Sequence, residues 1–243
     1  MTPKLHTIIY KLPEEIVINT AYSKNTGDVD LSELFKAKKD GDSFVFIHEE
    51  FVRKWLSFVC GKSGASATMK LPFHGKGFSH KLNHILWVLP TKESCEALYS
   101  LLQLAEEAKI IKEKYSIINC YDPSLSSPEM IITKINTVVG NNPAESCSLT
   151  LTSQALIKDI QSPYWSGLFM LKNLGANSYK EFAQIVDLAK LPWPIDAETD
   201  KKESFVFFFS YKKALLLTSN RIKQEYQNRR KALNMGGGIF CWD

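Results

Sequence analysis

The chain has no apolar run approaching the roughly 20 residues a membrane-spanning helix needs. Its longest purely apolar stretches, such as Phe205 to Phe209, are a quarter of that or less, so no membrane span is implied. Glu14 and Glu15 arrive before any apolar signal region could form, which predicts that no secretory leader is present. No Cys-x-x-Cys occurs: Cys60, Cys95, Cys120, Cys147 and Cys241 are odd in number and widely spaced. That excludes a disulfide framework and a zinc ribbon and predicts free thiols in a reducing compartment. Histidine is scarce, and His74, His80 and His84 follow no zinc-ligand spacing, so no metal is expected. Internal repeats and low-complexity segments are absent as well. These absences together predict a protein that works in the cytoplasm or is delivered into a host cytosol.

What the chain does contain is an ordinary globular composition, 44% hydrophobic and 23% charged over 243 residues, enough for a substantial core. Its net charge is only +4, but the placement is uneven: Lys212, Lys213, Arg221, Lys223, Arg229, Arg230 and Lys231 face a single acid, Glu225. This segment reads as a long basic helix over 211–233, either a solvated face or a docking surface for a polyanion. The modest overall charge and the lack of a recognisable motif disfavour nucleic acid as the partner.

Along the chain, Thr7 to Tyr10 reads as a strand, Asp30 caps a short helix over Leu31 to Lys38, and Phe44 to Ile47 reads as a strand. Phe51, Val52, Trp55, Leu56 and Val59 recur at helical spacing up to Gly61. Residues 61–81, rich in Gly, Ser, Lys and His, read as a long loop. His84 to Leu89 looks like a buried strand ending at Pro90, Thr91 caps a long helix, and Tyr115 to Tyr121 is a second apolar strand. Ser127-Pro128-Glu129 is a helix start with a serine cap and proline at the first helical position, and Gly140 ends that helix. Leu149 to Ile160 reads as another helix with Cys147 at its N-terminus, Ser178 opens a helix to about Lys190, and Phe205 to Phe209 is a central strand. The alternation predicts an α/β or α+β fold with a mixed central sheet packed by helices and papain-like layering. It divides into an α/β core over 1–195 and a C-terminal strand and basic helix over 196–243 packed on that core.

One ordering of residues carries chemistry. The phrases His84-Ile85-Leu86-Trp87, Cys120-Tyr121-Asp122-Pro123-Ser124-Leu125 and Asn141-Asn142-Pro143-Ala144-Glu145-Ser146-Cys147 resemble the His, acid, Cys order of the adenain-like cysteine proteases, shared by the YopJ-type acetyltransferases. The resemblance implies Cys147 as nucleophile, His84 as base, Asp122 as its orienter and Asn141 as an oxyanion donor, with the helix from Thr91 inserted between His and acid. It further implies that Lys212, Lys213, Arg221, Arg229 and Arg230 would bind inositol polyphosphate or coenzyme A if the acetyltransferase likeness holds. A Cys at a helix N-terminus would gain thiolate character from the helix dipole, and a carboxylate-oriented His would take its proton. The bland reading makes Cys147 a small core residue and Asp122 a strand-ending turn residue. Cys60 with His74 or His80 gives the papain order instead, but Gly61 sets Cys60 at a helix C-terminus, where the dipole disfavours a thiolate.

Two functions follow as expectations. One is a papain-like acyl-transfer enzyme acting on a protein substrate. The other is a non-catalytic effector or accessory protein that docks a protein or polyanionic partner through its basic helix and aromatic tail; if the loop residues Lys70, His74, Lys76, His80 and Lys81 faced one groove with that helix, the two would form a phosphate-binding surface.

Overall fold

The structure is a computed structural model and describes residues 4–11, 31–59, 62–63, 66–67, 83–107, 115–171, 184–185, 187–188, 203–210 and 239–242. In chain order its elements are β1 (Lys4–Lys11), α1 (Leu31–Leu34), β2 (Ala37–Asp40), β3 (Ser43–Phe46), α2 (Glu49–Val59), β4 (Lys62–Ser63), β5 (Ser66–Ala67), β6 (His84–Leu89), α3 (Lys92–Glu107), β7 (Ser116–Asn119), α4 (Pro128–Val139), β8 (Ser148–Ser153), β9 (Gly167–Met170), β10 (Glu203–Ser210) and β11 (Ile239–Trp242).

Seven strands form one sheet in the order β11-β1-β10-β9-β6-β8-β7, and its described pairings are all parallel. Parallel sheets are covered on both faces, which is why β6 (HILWVL) and β9 (GLFM) are buried at every position. Alternation of side chains divides these strands between two cores. Ile85, Trp87, Leu89, Leu149, Leu151 and Phe169 face a first core with Phe35, Trp55, Leu98 and Leu102. Leu86, Val88, Ile118, Leu168 and Met170 face a second with Ile131, Ile135, Val139, Ile157 and Trp165. Trp87 anchors the first core edge-on to Trp55, with ring centroids 5.2 Å apart. The result is α/β with helices on both faces of the sheet; β2–β3 and β4–β5 are separate antiparallel pairs.

Local chemistry explains the boundaries. Ser127 caps α4 by accepting from the Met130 amide at 3.3 Å, Pro128 takes the first helical position, and Gly140 ends the helix at φ 67°. Thr91 caps α3 by accepting from the Ser94 amide at 3.2 Å. The helix read over Leu31 to Lys38 stops at Leu34 instead. Ala37–Asp40 pairs with Ser43–Phe46 across the two-residue turn Gly41-Asp42, where Gly41 takes φ 59°. Positive φ at a tight hairpin turn is where glycine outcompetes helix continuation.

One larger expectation changes. Leu149 to Ile160 is not a helix: Ser148–Ser153 is a strand, followed by turns over 154–159. The period of two over Ser148 to Thr152 sends the leucines into the first core and Ser148, Thr150 and Thr152 to the other face, so sheet burial wins. Within the segment after 195, β10 lies inside the sheet between β1 and β9. The helices expected over 211–233 and from Ser178, apart from residues 184, 185, 187 and 188, lie outside the described residues.

Candidate functional site

The parallel register sorts the sequence-derived residues onto opposite edges of the sheet. His84 pairs with Ser148, and Ser148 with Ser116, so all three stand at the edge where strands begin. Cys147 immediately precedes Ser148, and its half-buried thiol lies 3.9 Å from Asn83 Oδ1. Asn141 is exposed at the start of the loop leading to Cys147. Asp122 follows the last residue of β7, Asn119, three strand steps beyond Ser116, so more than about 10 Å of strand rise separates it from the His84 level. The structure therefore brings His84 and the Cys147 segment to one edge and sets Asp122 at the other.

His84 is wholly buried and both ring nitrogens are engaged. Nε2 lies 2.9 Å from the Pro143 carbonyl, which can only accept, so Nε2 carries the proton. In the neutral ring, Nδ1 then accepts from the Ser148 hydroxyl at 2.9 Å. Ser166 completes the enclosure, its hydroxyl 3.3 Å from both the His84 amide and carbonyl. Asn83 adds a bond to the Ala144 carbonyl at 2.9 Å. The set is a clasp that ties loop 141–147 to the sheet edge. To serve as a base, the imidazole would first have to give up one of these bonds in a sealed environment. Cys147 also lacks the helix dipole expected for it, because a strand follows it.

Asp122 is taken up locally. Its Oδ1 accepts from the Ser124 hydroxyl at 2.7 Å and from the Ser124 amide at 2.8 Å, an Asx turn, and these bonds hold its carboxyl below the usual range. The orienter role therefore falls to no carboxylate at this position; Ser148 and the Pro143 carbonyl fix the imidazole instead. Sequence reasoning missed both. The alternation in Ser148–Ser153 was the signal that could have found Ser148, while the Pro143 carbonyl leaves no trace in residue type.

The opposite edge, at the carboxyl ends of the strands, has the topology of a ligand crevice. β6 leaves through α3 on the first face, whereas its neighbour β8 leaves through residues 154–166, whose Ile157, Ile160 and Trp165 fill the second core. Adjacent strands departing to opposite faces open a gap between their ends, where α/β sheets bind ligands. Here the gap is flanked by Thr91 and Lys92 from α3, Ser153 from β8, and Tyr121 with Asp122 after β7. Tyr121 and Ser153 share a short hydrogen bond between hydroxyls, and Lys92 Nζ lies over the Tyr121 ring, 5.8 Å from its centroid. Partial burial raises the Tyr121 phenol above its ordinary range, so it stays a neutral hydroxyl. Of this edge, only Asp122 carried a functional expectation from the sequence.

The cationic residues Lys212, Lys213, Arg221, Arg229 and Arg230, and the loop residues Lys70, His74, Lys76, His80 and Lys81, lie outside the described residues, as does Cys60. The inositol polyphosphate and coenzyme A expectations rest on them. Among the described residues, no cluster of three or more His, Cys, Asp or Glu could hold a metal ion, and no helix is long and apolar enough to cross a membrane.

No family model matches the chain. A curated protein of Mycoplasma pneumoniae, the putative type II restriction enzyme and methyltransferase RM.MpnORF110P C-terminus, is 25% identical over 246 aligned residues, covering 91% of this chain. The chain spans about a third of that relative's length, 32%. Among solved structures, the C-terminal domain of the DEAD-box protein Dbp5 superposes with TM-score 0.38 at 14% identity, over 65% of this chain and 74% of that one. S. cerevisiae Dbp5 bound to Gle1 and IP6 gives TM-score 0.35 at 15% identity, over 67% of this chain and 35% of the other. Superpositions of that quality carry no functional argument.

Proposed function

We propose that this chain is a nucleic-acid-associated α/β domain that meets DNA as a polyanionic partner, without acyl-transfer chemistry of its own. The observation that carries the reading is the similarity spread over 91% of the chain to a putative restriction enzyme and methyltransferase. It departs from the expectation drawn from net charge, and it gives the docking-protein reading a polyanion of definite kind. At the carboxyl edge Lys92, which shares its charge with Glu96 at 3.7 Å, is the cation that would meet a phosphate, and contacts of this sort position a protein on a duplex without reading sequence. The basic segment that holds Arg229 and Arg230 supplies further charge. The His84 clasp fits this reading as architecture.

Fluorescence anisotropy with labelled duplex and single-stranded DNA tests it. Affinity should fall with salt on a log-log plot, and Lys92→Glu and Arg229→Glu with Arg230→Glu should each weaken binding and flatten the slope by about 0.9 for every phosphate no longer neutralised. An absence of DNA binding at low salt, or binding indifferent to salt and to these reversals, overturns the proposal. Cys147→Ala should leave DNA affinity unchanged.

A further inference from the structure

Where the chain leaves β8 it makes the turns of residues 154–159, and helical residues 184, 185, 187 and 188 accompany it, with Ile185 and Leu188 joining Ile157 and Ile160 in the second core. Ile157, Lys158, Gln161, Gln184, Asp187 and Leu188 line a cleft of about 340 Å³. That volume is at the small end for a ligand site and suits a single heterocycle. Its lining is mixed: two aliphatic side chains, two primary amides and one charge of each sign. Behind it, Gln154 Nε2 donates to Gln184 Oε1 at 3.0 Å, while Gln154 Oε1 is buried with no partner.

That pairing holds one end of the Gln184 amide and leaves the other for a ligand: the NH₂ in this arrangement, the oxygen if both amides are turned over. Gln161, exposed on the same lining, presents a donor and an acceptor side by side. An amide with both functions is the natural complement of adenine's N6 donor and N7 acceptor, and aliphatic side chains can cover the ring faces. Lys158 stands ready for a phosphate. We infer that this cleft receives an adenine-type purine base. The inference rests on the nucleic-acid reading above and deepens it by naming the base.

The test is saturation-transfer NMR and equilibrium titration of the full chain with adenosine 5′-monophosphate, guanosine 5′-monophosphate and uridine 5′-monophosphate. Saturation should reach the adenine ring protons, adenine should bind tightest, and Gln184→Leu and Gln161→Leu should each lower its affinity about tenfold. Because Gln161 is exposed, its substitution keeps the test valid even if Gln184→Leu disturbs packing. Equal binding of the three nucleotides, or affinity for adenine untouched by Gln161→Leu, overturns the inference. DNA binding without adenine preference refutes the cleft alone; adenine preference without DNA affinity upholds the cleft and refutes the reading it was built on.

Discussion

Replacing Ser148 by alanine separates an architectural role for His84 from a chemical one. The Ser148 hydroxyl and the imidazole Nδ1 are 2.9 Å apart and both residues are fully buried, so no solvent can replace the missing donor. Leaving a buried nitrogen unmet costs about 1–3 kcal/mol, a substantial part of the roughly 5–15 kcal/mol that holds a domain together. Cys147→Ala removes a half-buried thiol that lies 3.9 Å from Asn83, and its cost should stay below about 1 kcal/mol. Urea unfolding with unchanged m-value should therefore show Ser148→Ala well to the left of wild type and Cys147→Ala close to it. A double-mutant cycle of Ser148→Ala with His84→Asn should return a coupling of about 1 kcal/mol or more. Zero coupling, or the larger destabilisation from Cys147→Ala, would refute the clasp.

Other outcomes follow from the same geometry. In native protein at mildly alkaline pH, a thiol-directed reagent followed by mass spectrometry should modify Cys147 well before Cys95 or Cys120, because burial raises both of their thiols and pushes Cys120 up to about 12. Since Cys120 is neutral in the fold far above its ordinary 9.0, its contribution is complete below pH 9 and is lost as pH rises from 9 to about 12, visible as a falling urea midpoint. Ser127→Ala should cost about 1 kcal/mol by removing the cap on the Met130 amide, and Ser127→Asp should restore most of it. Gly140→Ala, at φ 67° and ψ −157°, should destabilise by about 1 kcal/mol or more although no neighbour crowds the site; thermal unfolding reads it directly.

The parts of the fold written in local chemistry were legible. Ser127-Pro128 and Thr91 mark helix starts by hydrogen-bond chemistry that any context preserves, and the apolar run of β6 declares a strand buried on both faces. The stretch after Cys147 was not, because its leucines suit a helix face as well as a strand face, and only the sheet beside it decides. That single misreading displaced the candidate site: a helix after Cys147 would have given a thiolate its stabilising dipole, whereas the strand makes Ser148 the neighbour of His84. Asp122 failed for a different reason. Chain order says nothing about which end of a parallel strand a residue occupies, and register alone sets it apart from His84. The carboxyl edge escaped notice because Thr91, Lys92, Tyr121 and Ser153 acquire a common location only once strand order is known.

The interleaving of β1 with β10 and β11 ties together pieces of chain made at opposite times. During synthesis residues 4–11 must wait, unpaired, for nearly two hundred later residues before their partners at 203–210 emerge. Strands β6, β7 and β8 can meanwhile assemble among themselves, so nascent molecules should pass through a half-built sheet with an open flank. Keeping that flank from sticking to other chains is a task for chaperones or for rapid translation, and trimming the later strands would leave it permanently bare.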